Sequence, residues 1–226
     1  MQTITKETLL TSPTKNFSGM TLINLKLEAV TLKDFDFSDA NIYNVDFNQA
    51  SLINCNFSNV LFKNCTFIDT RLDQINFFEA CLRDCNLENA IVTNTNFYCA
   101  NLEHANLTGI QVDDNSKFFK LHCPEQGAFI GYKKCFNYRI VKLLIPSDAK
   151  RSSATNNTCR CDKARVLSIT NFDESKSYQE AVSLVDSNFI YRLGESLSAN
   201  HFDEDRWNDS SYGIHFFMTR EEAINY

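Results

Sequence analysis

Glycine and proline are scarce here, six and three in 226 residues. That excludes collagen-like and Pro/Gly-rich disordered chains. It also removes the glycine fingerprints of nucleotide-binding enzymes: no G-x-G-x-x-G and no P-loop occurs, nor do G-x-S-x-G or H-E-x-x-H. No apolar run approaches the roughly 18 residues of a membrane-spanning helix. The stretch Met1–Leu10 lacks the apolar core of a signal peptide. Positive charge is short, 22 Lys plus Arg against 28 Asp plus Glu, for a formal net charge of −6. General nucleic-acid binders need cations to displace phosphate counterions, so nucleic acid is a poor candidate partner. The nine cysteines are odd in number and lack the spacing of a secreted disulfide framework. The expectation is a cytoplasmic protein with reduced, buried thiols, in which the N-x-S/T tripeptides imply no glycosylation.

Phenylalanine, by contrast, is abundant at 19, and apolar residues make up 43% of the chain. Their order is periodic. From Phe17 to Val112 a large apolar residue recurs every fifth position, 20 times without exception. The residue two before each centre is small or apolar, as at Ala40, Val45, Cys55, Cys85 and Ala100, with Lys15 at the start as the one charged exception. A period of five fits neither helix nor strand. It demands a corner every five residues, and four corners close a square coil. Every twentieth residue tests this: Phe17, Phe37, Phe57, Phe77 and Phe97 form one column, a core ladder. About five coils at roughly 4.8 Å each give a solenoid about 24 Å tall. Columns of Asn and Asp, such as Asn24, Asn44, Asn64 and Asp84, fall at turn positions suited to local backbone bonding.

The pattern A-(D/N)-L-x-x over residues 15–112 resembles the pentapeptide-repeat family. The resemblance implies a mainly β fold, a right-handed quadrilateral parallel β-helix. We divide the chain into an N-terminal cap at 1–14, with Thr3, Ile4, Leu9 and Leu10 over the first coil, the repeat at 15–114, and a small α+β domain at 115–226. In that last part, apolar alternation predicts strands at Ala128–Lys134, Tyr138–Ile145, Arg165–Thr170, Phe189–Leu193 and Gly213–Phe217. Thr219 and Glu222 fit a capping box opening a terminal helix. The segments around Gly131–Cys135, Ile145–Thr155, Cys159–Cys161 and Gly213–Ala223 resemble a domain of unknown function that accompanies pentapeptide repeats in bacterial, phage and large-virus proteins.

Charge is split within this half. Residues 117–165 hold 11 basic and 3 acidic residues; residues 166–226 hold 4 basic and 11 acidic. Either the two segments neutralise each other, or the cations around Lys133, Lys134 and Lys142, with Lys150, Arg151, Arg160, Lys163 and Arg165, form a patch for an anion or an acidic partner. The run Lys150–Thr155, cations beside hydroxyls, reads as a structural loop or an anion-binding turn. Cys159-x-Cys161 with Cys123 and Cys135 lacks zinc-ribbon spacing, so no metal is expected. His122, His201 and His215 are the imidazoles of this half, and His215, inside an apolar run, reads as a hydrogen-bonded core residue. No catalytic residue and no cofactor is assigned.

The expected function is therefore a non-catalytic scaffold or protein-interaction module with a protein partner still to be identified, and with self-association at an open solenoid end as an option. Two alternatives stand beside it. One is mimicry of duplex DNA at a topoisomerase, for which residues 15–112 offer only 11 acidic against 6 basic residues. The other is an enzyme activity in the C-terminal domain.

Overall fold

A computed structural model describes residues 4–226. The chain divides into two compact units, Met1–Lys120 and Leu121–Tyr226. Thr3 of the expected cap lies outside the described residues. Helix α1, Lys6–Thr11, is capped by the Thr5 hydroxyl, which accepts from the Thr8 amide at 3.1 Å. It buries Leu9 and leaves Leu10 exposed; Ile4, just before it, is also buried.

The solenoid follows. Its strands are three residues long or less: β1 Thr21–Ile23, β2 Thr31–Lys33, β3 Asn41–Tyr43, β4 Ser51–Ile53, β5 Leu61–Lys63, β6 Arg71–Asp73, β7 Ile91–Thr93 and β8 Gln111–Val112. They form two parallel sheets, β1-β3-β5 and β2-β4-β6-β7-β8, in which each residue pairs with the one 20 positions on, as Leu22 with Ile42 and Leu52 with Leu72. The other two faces are ladders of single bridges, through Asn16, Asp36, Asn56, Asn76 and Asn96, and through Lys26, Asp46, Thr66, Asn86 and Asn106. Four faces of about five coils result.

The corners explain the sequence. The second residue after most centres takes a positive φ, for example +57° at Asn24, +63° at Asp34 and +53° at Asn44. Short amide and carboxylate side chains tolerate that region best. They also bond along the stack: Asn44 donates to Asn24 and Asn64 to Asn44, both at 3.0 Å. Inside, the Phe column stacks with centroid separations of 5.0–5.7 Å from Phe17 through Phe97, and Phe119 adds a ring 5.2 Å beyond. The backbone ladder runs on through Lys117, whose carbonyl accepts from Phe97 at 3.1 Å. There the step is 21 residues, because a turn in which Asp113 binds the Ser116 amide and hydroxyl inserts one residue.

Of the outward apolar residues, Leu61 and Ile91 are exposed, and Ile53, Ile68, Phe78 and Tyr98 are half-buried. Outside the coil the Tyr98 ring meets Phe78 at 5.8 Å and Phe118 at 4.6 Å between centroids, tilted against both.

The second unit holds β9 Phe129–Cys135, β10 Arg139–Ile145, β11 Arg151–Ser153, β12 Cys159–Cys161, β13 Lys163–Asn171, β14 Glu180–Val182, β15 Ile190–Arg192, β16 Ser196–Ser198, β17 Ile214–Phe216 and helix α2 Arg220–Asn225. Antiparallel sheets run in the orders β16-β13-β10-β9 and β11-β12-β17, with a β14-β15 hairpin. Val141, Leu143, Ile145, Val166, Ile169 and Phe216 fill the core. The capping box of Thr219 and Glu222 is present. The segment Lys150–Thr155 is no free turn: its middle is β11, paired with β12. No helix among the described residues is long and apolar enough to cross a membrane.

Candidate functional site

The cations singled out from the sequence are mostly engaged one by one. Lys150 pairs with Glu204, and Lys163 donates to Asp148 at 2.6 Å. Both pairs are exposed, so each contributes little. Arg151 donates to the carbonyls of Ala149, Pro124, Gly127, Pro146 and Ser147 at 2.7–3.3 Å and stacks on Phe129, 5.1 Å from the ring centroid. That arrangement stitches a loop rather than presenting charge. Arg160 is buried on β12 and donates to the Asp205 carbonyl at 2.9 Å. Burial lowers its pKa, against the pull of Asp203, Asp209 and Asp205. Arg165 is exposed on β13.

The cysteines separate in the same way. Cys123 and Cys159 are hydrogen-bonded to each other and buried. The contact pushes the Cys159 thiol up and the Cys123 thiol down, and Arg151 and Arg206 add to the second shift. Cys161 instead donates to the Ile214 carbonyl at 3.7 Å, and burial pushes Cys135 up to about 12. Among the described residues no group of three His, Cys, Asp or Glu is placed to hold a metal. His122 meets Glu222 at 3.2 Å.

The feature that charge counting did not single out is a cleft of about 760 Å³ within this unit. Lys133 lines it. Along β9 the buried positions alternate as Gly131, Lys133 and Cys135, so this lysine occupies a core-facing place. It is 5% exposed. No hydrogen bond or ion pair joins its ammonium to any described residue, and desolvation lowers its pKa. Charged groups are almost never buried without a partner, which makes the position unusual. The one carboxylate lining the cleft, Asp186, is exposed and makes no ion pair with it.

His215, from β17, lines the same cleft. One ring nitrogen, Nε2, lies 2.8 Å from the Ser211 carbonyl, which can only accept. Nε2 therefore carries the proton and Nδ1 the lone pair of a neutral ring. Burial holds its pKa below the ordinary value. The Ser211 carbonyl opposes the shift, while the Lys133 and Arg160 charges add to it. Tyr191 is buried beside the cleft. His201 and Tyr212, both exposed, meet edge to face at 5.8 Å at its mouth. Gly213 is needed here: its φ is +144°, and a Cβ would come within 3.3 Å of Arg160, Phe202 and the Cys161 carbonyl.

Residues 40–118 match a pentapeptide repeat region, and residues 119–223 match a family of unknown function (DUF5758). No curated protein matches. Solved structures similar to part of the chain include a pentapeptide repeat protein from the cyanobacterium Cyanothece 51142. It is 24% identical over 49% of this chain and 94% of that one, with a TM-score of 0.31. Another, from Nostoc PCC 7120, is 22% identical over 50% and 100% of the two chains, TM-score 0.25. A third, from the Arabidopsis thaliana thylakoid lumen, is 17% identical over 48% and 72%, TM-score 0.24.

Proposed function

We propose, from a chain that joins a pentapeptide-repeat solenoid to a domain of the unknown-function family, that it works by binding, without catalysis: the solenoid is a rigid support and the C-terminal domain recognises a protein partner. The observation that carries this is where the chemistry is spent. Nearly every repeat centre of the solenoid is enclosed in its core, and the Asn and Asp of its corners bond their neighbours one coil away. The polar groups left to act lie on outer surfaces and in the C-terminal cleft.

Duplex mimicry fits less well. The carboxylates of Asp34, Asp36 and Asp39 each accept from an amide one coil on, at Asn54, Asn56 and Asn59, over 2.8–3.0 Å. Across these columns amides outnumber acids, as in Asp36, Asn56, Asn76 and Asn96, whereas DNA carries about one charge per 1.7 Å. Against catalysis, His215 bonds a backbone carbonyl, burial raises the thiol pKa values of Cys135 and Cys161, and the contact with Cys123 raises that of Cys159; Cys123, the one thiol shifted down, is buried and shares its hydrogen bond with Cys159.

Affinity capture with the full chain, followed by titration of each purified candidate, tests the reading. A partner that saturates at a fixed stoichiometry and weakens at least tenfold on His201→Ala with Tyr212→Ala supports it. Binding indifferent to those changes and lost on substitution of outward solenoid residues, or turnover of an added substrate, overturns it.

A further inference from the structure

We infer that the C-terminal cleft is a binding site for a small organic anion, with the Lys133 ammonium as its counter-charge. The inference rests on reading this domain as one that binds, and it names a second, small ligand.

Lys133 projects from a core-facing position of β9, 5% exposed, into a cleft of about 760 Å³, and no described residue accepts from its amine. Evolution has apolar alternatives for such a place, and Gly131 and Cys135 flank it on the same face of the strand. A buried cation without a partner is costly, and the ordinary compensation is an anion. The described residues supply none: Asp186 stands exposed and unpaired with it.

The other cleft residues suit the rest of such a ligand. His215 is kept toward its neutral form by burial, with the Lys133 and Arg160 charges adding to the effect, so it neither competes for the anion as a second fixed cation nor repels the lysine strongly. Asn200 and Tyr212 bring an amide and a phenol to the cleft, and the His201–Tyr212 ring pair gives an apolar edge at its mouth. The volume lies in the range of small-molecule sites. A large polyanion is a poor fit, because only one unengaged cation lines the cleft.

The test uses the full chain and five probes: inorganic phosphate, benzoate and glucose 6-phosphate, with benzamide and glucose as neutral counterparts. Melting is followed with each at millimolar concentration. At least one anion should raise the wild-type melting temperature by several degrees, and its neutral counterpart should not. Lys133→Met should melt higher than wild type without any probe, because it removes an unpaired buried charge, and should lose the anion shift. In the wild type, the same anion should slow reductive methylation of Lys133 at least tenfold, read by peptide mass spectrometry. This arm stands even if the variant does not fold. No shift from any anion, equal shifts from neutral counterparts, or unchanged labelling of Lys133 overturns the site. Failure to find a protein partner while an anion binds would instead sink the proposed function and leave the cleft standing.

Discussion

Phe57 lies almost parallel to Phe37, with 5.0 Å between ring centroids and 5° between planes. A third ring, Phe77, stacks on its other side at 5.6 Å. Phe57 is fully buried. Truncation therefore opens a cavity that two flanking coils cannot close, since each is pinned by its own backbone ladder. Phe57→Ala should cost about 3–5 kcal/mol. Substitution of its outward neighbour, Ser58→Ala, should cost less than about 0.5 kcal/mol. Denaturant melts of the two variants check this, and equal losses would contradict the packing.

The corners predict opposite signs at one position. Ala29 takes a φ of +55°, in the region that costs an L-residue about 1–2 kcal/mol. Glycine relieves that strain but adds freedom to the unfolded chain. Ala29→Gly should be stabilising by roughly 0.5 kcal/mol, and the β-branched Ala29→Val destabilising by about 1 kcal/mol or more. Chemical denaturation resolves the two directions.

Much of the solenoid was legible because burial there repeats with the chain. A centre, its corner and its turn recur every five residues, and the twentieth-residue columns expose the coil. The legibility ends where the ladder gains one residue at Asp113–Ser116 and hides the pairing of Asn96 with Lys117. In the second unit, contacts come from distant segments. Arg151 binds carbonyls at Pro124, Gly127 and Pro146, which no local pattern announces. Lys133 is different. Counted as charge, it joins a basic patch. Counted by strand parity, with Gly131 and Cys135, it falls inside, and that signal was in the sequence.

Arg151 and its neighbour separate structure from surface. Arg151 holds five carbonyls, so Arg151→Met should destabilise by about 2–4 kcal/mol. Lys150 is exposed and touches Glu204 alone by its side chain. Lys150→Glu should leave the melt nearly unchanged, with any small loss vanishing in high salt. A comparable drop for both variants would mean that Lys150 is held more tightly than its exposure implies.

No stoichiometric zinc is expected. Cys159 is turned to Cys123, Cys161 to the Ile214 carbonyl, and Cys135 stands apart as a buried thiol. A chelator at neutral pH should leave the melting temperature where it was. A fall of several degrees, with one zinc per chain by elemental analysis, would reverse this.

His215 makes stability depend on pH in a defined window. Its folded pKa is depressed below the unfolded value near 6.5 by burial, with Lys133 and Arg160 adding to the effect. The unfolded chain therefore binds the proton more readily than the folded one. The stabilising contribution is complete above the unfolded value and is lost as pH falls below it, toward the folded pKa. The lowered carboxylates, such as Asp203 and Asp148, act in the same direction but at lower pH, below their ordinary value of 3.8. Wild-type stability should thus decline between about pH 7 and pH 5, before the carboxylates titrate. Asparagine can offer the same Ser211 carbonyl a donor without titrating, so His215→Asn should flatten that decline. Urea melts across the window read the slope, and an unchanged slope in His215→Asn would place the titrating group elsewhere.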